Sequence, residues 1–224
     1  MRKLTIAIDG PSGVGKGTVA RAIAQALGYR HVDSGAMYRA VGWQAIRDAI
    51  PLDDERAVAA LAERSRIDIG GGIVSIDGAD VTRAIRTPEI DRAAASVARL
   101  PKVRAVLVQR QRALGAGGGI VMEGRDIGSV VFPDADVKVY LDASPDERAR
   151  RRAADPAHSG TPAAVADVAA LLTERDRSDA TRAASPLYAA PDAEIVDTTG
   201  KPVEQVVDEV LDLVRRKSRN QSEI

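Results

Sequence analysis

The chain contains no cysteine, which excludes disulfides, thiolate metal sites and a thiol nucleophile while leaving the compartment open. Aromatic residues are only 3% of the total, so there is no row of stacking platforms for single-stranded nucleic acid. The apolar runs are all shorter than the roughly 18 residues a membrane span requires, and no membrane partner is expected. Met1-Arg2-Lys3-Leu4 leads into a short apolar run that ends at Asp9 and is followed by glycines, a pattern unlike a signal peptide, so a cytoplasmic protein is expected. Net charge is also missing: 32 basic residues balance 32 acidic ones. A long polyanion demands a broad basic face, so no nucleic-acid partner is expected, whereas small phosphates remain candidates.

What is present is ordinary globular composition, 45% apolar and 29% charged over 224 residues, enough for one α/β domain with an insert. Twenty-six of the 32 basic residues are Arg. Background usage accounts for that excess as readily as function does, so the position of each planar, phosphate-matching guanidinium matters more than the number.

Leu4 to Ile8 is a short β-branched run stopped by Gly10-Pro11, which suits a buried parallel strand. From Lys16 to Leu27 the apolar residues fall on one helical face, with Gly28 as a stop. Further strands are expected at 119–122, 137–141 and 194–197, each followed by helical sequence, the last running from about 202 to 217. Strands alternating with helices predict a parallel sheet covered on both faces. Between Pro51 and Asp91 the texture changes to short antiparallel strands with tight turns, Asp77-Gly78 being a strong hairpin signal. Thr87-Pro88 and Pro101 mark helix starts. An irregular stretch, Asp155 to Pro162, separates the Arg-rich segment Glu147–Arg152 from a helix expected over about 164–176.

Gly10-Pro11-Ser12-Gly13-Val14-Gly15-Lys16 fits the phosphate-binding loop G-x-x-x-x-G-K, after a strand and before a helix as the motif requires. Glycines let backbone N–H groups curl round a polyphosphate, the helix start adds partial positive charge, and Lys16 reaches the β and γ phosphates. The next residues are Gly17 and Thr18, whereas most such loops place a metal-binding hydroxyl directly after the lysine. The Gly-Lys-Gly-Thr form resembles the nucleoside monophosphate kinases, in which the metal is held largely by phosphates and water. No Asn-Lys-x-Asp segment is present to read guanine, which separates the chain from GTPases.

A second anion site is expected where Asp33-Ser34-Gly35-Ala36-Met37-Tyr38-Arg39 opens a helix, with a capping Ser34 and a solvated Arg39 as the bland alternative. Glu123-Gly124-Arg125-Asp126 follows an expected strand, at the carboxyl edge where open α/β sheets bind ligands. Arg125 suits an acceptor phosphate, Asp126 an exocyclic amino group such as cytosine N4, and Glu123 the water around Mg²⁺. A surface turn with an internal Arg–Asp pair is the alternative reading of this segment.

Taken together and in order, Ile8–Thr18, Asp33–Arg39, Ile85-Arg86-Thr87, Ser96, Pro101-Lys102-Val103-Arg104, Gly124–Gly128 with Val131–Ala135, and Glu174-Arg175-Asp176 resemble the bacterial cytidylate kinases. The resemblance implies a three-layer α/β/α fold with a central parallel sheet. It implies a core at 1–50 and 93–224, a nucleoside monophosphate-binding insert at 51–92, and a helical lid at about 148–182. It implies ATP and CMP or dCMP as substrates, with Lys16, Arg39, Arg125 and Asp126 as the catalytic set. Gly10, Pro11, Ser12, Gly13, Val14, Gly15, Lys16, Gly17 and Thr18 would hold ATP, and Arg148, Arg151, Arg152 and Arg175 would meet its phosphates from the lid. Ser34, Tyr38, Arg39, Ser96, Arg104, Arg125, Asp126, Arg175, Asp179 and Arg182 would contact CMP, Ser96, Arg104 and Asp126 toward the base and Asp179 and Arg182 toward the sugar. Mg²⁺ would be held by nucleotide phosphates and water, Glu123 standing where the family often has Asp. After Glu174-Arg175-Asp176 the family's denser Asp/Arg run is replaced by Arg177-Ser178-Asp179-Ala180-Thr181-Arg182.

A phosphate monoester has a second pKa of about 6, so the attacking oxygen needs no general base, and catalysis reduces to positioning and charge neutralisation. A lid closing over both substrates is expected around 155–162, to keep water from replacing CMP. His31 and His158 are read as structural or solvated. A monomer is expected. Two other readings stand beside this one: a kinase for UMP, AMP or a hydroxylated acceptor, and a nucleotide-binding switch without transfer chemistry.

Overall fold

The computed structural model describes residues 3–155, 165–182 and 184–222. The first apolar run is β1 (Thr5–Asp9), and the glycine loop carries it into α1 (Lys16–Leu27). Successive residues of β1 serve opposite faces, Ile6 and Ile8 on one and Ala7 on the other, all fully buried. Next comes β2 (Arg30–Asp33), a strand the apolar pattern does not announce, because Val32 is its one apolar residue. It forms because β6 (Ile120–Gly124) offers a parallel ladder, His31 opposite Val121 and Asp33 opposite Glu123. The helix after it, α2 (Ser34–Arg47), is capped by Asp33, whose carboxylate accepts the Ala36 N–H. Asp33, not Ser34, is therefore the cap.

Residues 55–80 hold α3 (Glu55–Arg64), β3 (Ile67–Gly70), β4 (Ile73–Ile76) and β5 (Ala79–Asp80). The three strands pair antiparallel in order, as their turn residues require. Asp77 and Gly78 join β4 to β5 with φ of 50° and 82°, the left-handed pair that a two-residue hairpin turn demands. The helix α3 was not foreseen among those turn signals. Thr87 caps α4 (Pro88–Val97) by accepting the Ile90 N–H, and Pro101 opens α5 (Pro101–Gly115), so both proline starts hold. The apolar faces of α2, α3, α4, α5 and the small sheet share one buried cluster that includes Val58, Leu61, Ile76, Ile85 and Leu107.

The chain returns through β6, a single π turn at Ile127–Val131, β7 (Val137–Asp142), α6 (Pro145–Ala153), α7 (Val165–Thr181), β8 (Glu194–Asp197) and α8 (Val203–Ser222). The main sheet is parallel throughout, in the order β2-β6-β1-β7-β8. One face packs on α1 and on the Val206, Val210, Leu213 and Val214 stripe of α8. The other face buries Ala7, Val32, Ile120 and Met122 beneath the π turn. From β1 the chain first crosses toward β2 and later toward β7, so the switch in direction opens a crevice beyond the carboxyl ends of the central strands.

Candidate active site

That crevice is a cleft of about 1110 Å³. Asp33 and Glu123 face each other at the ends of the adjacent strands β2 and β6 and line it, while Asp9 is buried at the end of β1. The glycine loop forms one wall. A Cβ on Gly10, at φ 145°, would fall 2.1 Å from the Leu141 carbonyl oxygen, so the loop leaves the sheet closer than any other residue permits. Lys16 is buried, its ammonium donating to the Pro11 carbonyl at 2.6 Å. Burial, and then the neighbouring charge of Arg125, hold its pKa well below the usual lysine value. A polyphosphate would supply the counter-charge this ammonium lacks.

The opposite wall carries most of the arginines. Arg39 donates to Asp33 and is buried; burial works against its charge, but Asp33, Asp91 and Glu123 more than restore it and its pKa is raised. Asp33 stays ionised in turn, because Arg39, Arg86 and the Ala36 N–H outweigh its own burial. Ser34 donates its hydroxyl to the Glu123 carbonyl at 2.7 Å. Arg125 reaches Asp179, Nε to Oδ2, at 2.9 Å, and Arg182 lies 3.6 Å from the same carboxylate. Arg104 pairs with Asp126, both buried, and its guanidinium stands 5.5 Å from the Tyr38 ring centroid. Beneath them Asp9 accepts the N–H groups of Ile127 at 2.8 Å and Gly128 at 2.7 Å, which fixes the backbone immediately after Asp126. Arg175 has its pKa pushed down to about 10, first by burial and then by Arg125.

Lys16, Gly17, Thr18, Ser34, Tyr38, Arg39, Arg104, Glu123, Arg125, Asp126, Arg152, Arg175, Asp179 and Arg182 thus share one cleft. Two expectations do not fit it. Ser96 is exposed on the outer side of α4, its hydroxyl turned back to the Arg92 carbonyl at 3.3 Å; Ala94, Ala95 and Ala98 line the cleft instead. Helical periodicity places Ser96 about 100° round from Ala95, which is why the neighbour and not the serine faces inward. Arg148 lies behind the glycine loop, bonded to the Ser12 carbonyl at 3.3 Å and to Asp176, and does not line the cleft. Arg151 does line the cleft, but its guanidinium is engaged with protein groups. His31 has a structural contact, its Nε2 lying 3.0 Å from Glu123 Oε1. The expected lid loop, beyond Asp155, and His158 fall outside the described residues.

Sequence reasoning also missed site residues. Asp91, on α4, pairs with Arg152 across the cleft and lies 3.9 Å from Arg175. In the sequence it reads only as an acid complementing a helix N-terminus. Arg86 and the segment Thr198 to Val206 line the cleft as well. The rule that ligands sit beyond strand carboxyl ends identifies the turn after β8, had it been applied there.

Comparison with known proteins gives the family. The family model described as cytidylate kinase matches residues 6–216. A cytidylate kinase of Pelotomaculum thermopropionicum is 50% identical over 207 residues, covering 90% of this chain and 92% of the relative. One from Solibacter usitatus is 44% identical, covering 98% and 95%. Among solved structures, a gluconokinase from Sinorhizobium meliloti superposes with a TM-score of 0.55 at 17% identity, covering 99% of this chain and 97% of its own. A shikimate kinase from Bacteroides thetaiotaomicron gives 0.52 at 11%, covering 95% and 98%. At such identities the structural likeness speaks for the α/β fold alone. The sequence likeness spans nearly the whole chain, and the chain belongs to the cytidylate kinase family.

Proposed function

We propose that the protein transfers the terminal phosphate of ATP to CMP or dCMP, yielding CDP or dCDP. The observation that carries this reading is the convergence of Lys16 and its glycine loop with Arg39, Arg104 and Arg125 on one cleft. The loop amides and Lys16 would hold the donor phosphates; Arg39 and Arg125 would neutralise the acceptor phosphate. The repulsion between two anions is the main obstacle, and fixed cations in a buried site oppose it at no reorganisation cost. The Asp126 carboxylate, oriented by Arg104 and by the Asp9-held backbone, would accept from the cytosine amino group.

The site's donor set fits Mg²⁺ held mainly through phosphates and water. Gly17 leaves open the space beside Lys16, and the Glu123 carboxylate fills it, 3.1 Å from where a Cβ on Gly17 would stand. No group of three or more metal-ligating side chains occurs among the described residues. Glu123 would orient metal-bound water. A bound Mg²⁺ would supply further neutralisation of the phosphate charge beside Lys16, Arg39 and Arg125.

A hydroxyl acceptor, as in a sugar or shikimate kinase, would call for a carboxylate base near the transferring phosphate and would leave the Arg set without a task. A coupled assay offering CMP, dCMP, UMP, AMP and shikimate decides the matter. CMP and dCMP are expected to be the best acceptors, and Lys16→Ala to lower turnover by about 10³-fold or more. Preference for another acceptor, or full activity in Lys16→Ala, would overturn the assignment.

A further inference from the structure

Arg151 on α6 spends its guanidinium on the protein itself. Its Nε donates to Glu147 Oε1 at 2.7 Å, Nη2 to the Thr198 carbonyl at 2.6 Å, and Nη1 both to Thr198 Oγ1 at 2.9 Å and to the Val14 carbonyl at 3.3 Å. Four of its five N–H donors are therefore engaged. Thr198 is buried, and its one hydroxyl hydrogen is shared between the Asp142 carbonyl at 3.0 Å and the Val14 carbonyl at 3.2 Å. The Ser12 carbonyl, two residues earlier, faces Arg148 Nη1 at 3.3 Å. The outer, carbonyl side of the glycine loop is thus gripped from α6 and from the turn after β8.

In a trans peptide the carbonyl and the following N–H point in opposite directions. A Val14 carbonyl drawn outward turns the Gly15 N–H inward, toward the space above Lys16. Among the described residues the Gly13 and Gly15 N–H groups have no acceptor within the protein. Donors on the far carbonyl also polarise the peptide and strengthen the opposite N–H. Glycine at 15, with φ of 91°, has no intrinsic preference for this orientation, so an outside group must set it.

We propose that Arg151 is a positioning residue for the donor site. Together with Thr198, it holds the Val14–Gly15 peptide so that its N–H faces the donor phosphates, and it couples the loop to the cleft-lining turn after β8. It is not a phosphate ligand. This rests on the glycine loop being the ATP site.

The test measures ATP and CMP dissociation constants by calorimetry, beside kcat and KM, for the full chain, Arg151→Met, Thr198→Val and the double variant. ATP binding is expected to weaken about tenfold in Arg151→Met and about threefold in Thr198→Val. CMP affinity should stay within about twofold, and kcat at saturating ATP within about threefold, because the interaction is made equally in ground and transition states. The double variant should lose less than the product of the two single losses, since both act on one carbonyl. Thr198→Val keeps the side-chain shape and decides the question if Arg151→Met fails to fold. Unchanged ATP affinity in the variants, multiplicative losses in the double, or a kcat loss of about a hundredfold with ATP affinity intact would each overturn the proposal. Failure of the unsubstituted chain to bind ATP would instead remove the donor-site assignment itself, an outcome visible before any variant is made.

Discussion

The Glu123 carboxylate occupies the space that a side chain on Gly17 would need, its Oε1 lying 3.1 Å from the Cβ position. His31 holds the same oxygen from the other side at 3.0 Å, so the carboxylate has little room to retreat. Gly17→Ser is therefore expected to displace Glu123 and to lower kcat by about tenfold, equivalent to about 1.4 kcal/mol of barrier. The Tm should fall by no more than about 4 °C, the shift that ~1 kcal/mol gives a chain of this size. Steady-state kinetics beside thermal unfolding checks this, and undiminished turnover would make the placement of Glu123 irrelevant to catalysis.

Asp126 and Arg104 form a buried pair, so truncating the acid to Ala strands a guanidinium at a cost of about 3–5 kcal/mol and mixes stability with specificity. Asp126→Asn keeps the shape while weakening acceptance from an amino group. Its preference for CMP over UMP is expected to drop about tenfold, within the roughly 1–3 kcal/mol that one good base contact supplies. Competition between the two substrates in one assay reads that ratio directly; an unaltered ratio would remove Asp126 from base discrimination.

Ser96 faces solvent and Ala95 faces the cleft. Ser96→Ala should accordingly leave the KM for CMP within about twofold, as surface changes usually do. Ala95→Leu should raise that KM by about tenfold, because the added volume intrudes on the acceptor wall, at the ~1–3 kcal/mol typical of overpacking. The reverse pattern would place the acceptor elsewhere.

Asp9 has its pKa raised to about 6 by burial, with Asp126 adding to the shift and the Ile127 and Gly128 amides and Lys16 opposing it. A carboxyl whose folded pKa lies above its unfolded value of 3.8 stabilises the fold below that value and loses the contribution as pH rises through about 6. The loss amounts to about 3 kcal/mol at most. Asp33 and Asp179 shift the other way, downward, so their losses come at more acid pH and do not mask this window. Between pH 5 and about 7 the ligand-free protein is expected to lose stability as pH rises, and Asp9→Asn to flatten that slope. Thermal unfolding across the range measures it; an equal slope in the variant would assign the titration to another group.

Much of this was legible in the residues. The glycine loop, the strands at 137–142 and 194–197, the hairpin at Asp77-Gly78 and the helix starts at Thr87 and Pro101 follow from local chemistry that a few neighbouring residues determine. The strand at 30–33 was not legible, since one buried Val carries no period and the pairing that makes it a strand comes from residue 120 onward. The side of α4 that meets the cleft was not legible either, because the phase of a helix against its neighbours shifts by 100° per residue and Ser96 missed it by one step.

The chain's own order of residues thus settled the chemistry available: a polyphosphate loop, a surplus of guanidinium groups and acids at strand ends, since these depend on side-chain type and short-range spacing. Which acid or loop carbonyl each cation meets was settled by packing. Arg148, Arg151 and Arg152 sit within one turn of a single helix, yet the first two turn to the Ser12 and Val14 carbonyls and the third reaches across to Asp91. Neighbours in sequence point in different directions on a helix, and only the surfaces packed around it determine what each one meets.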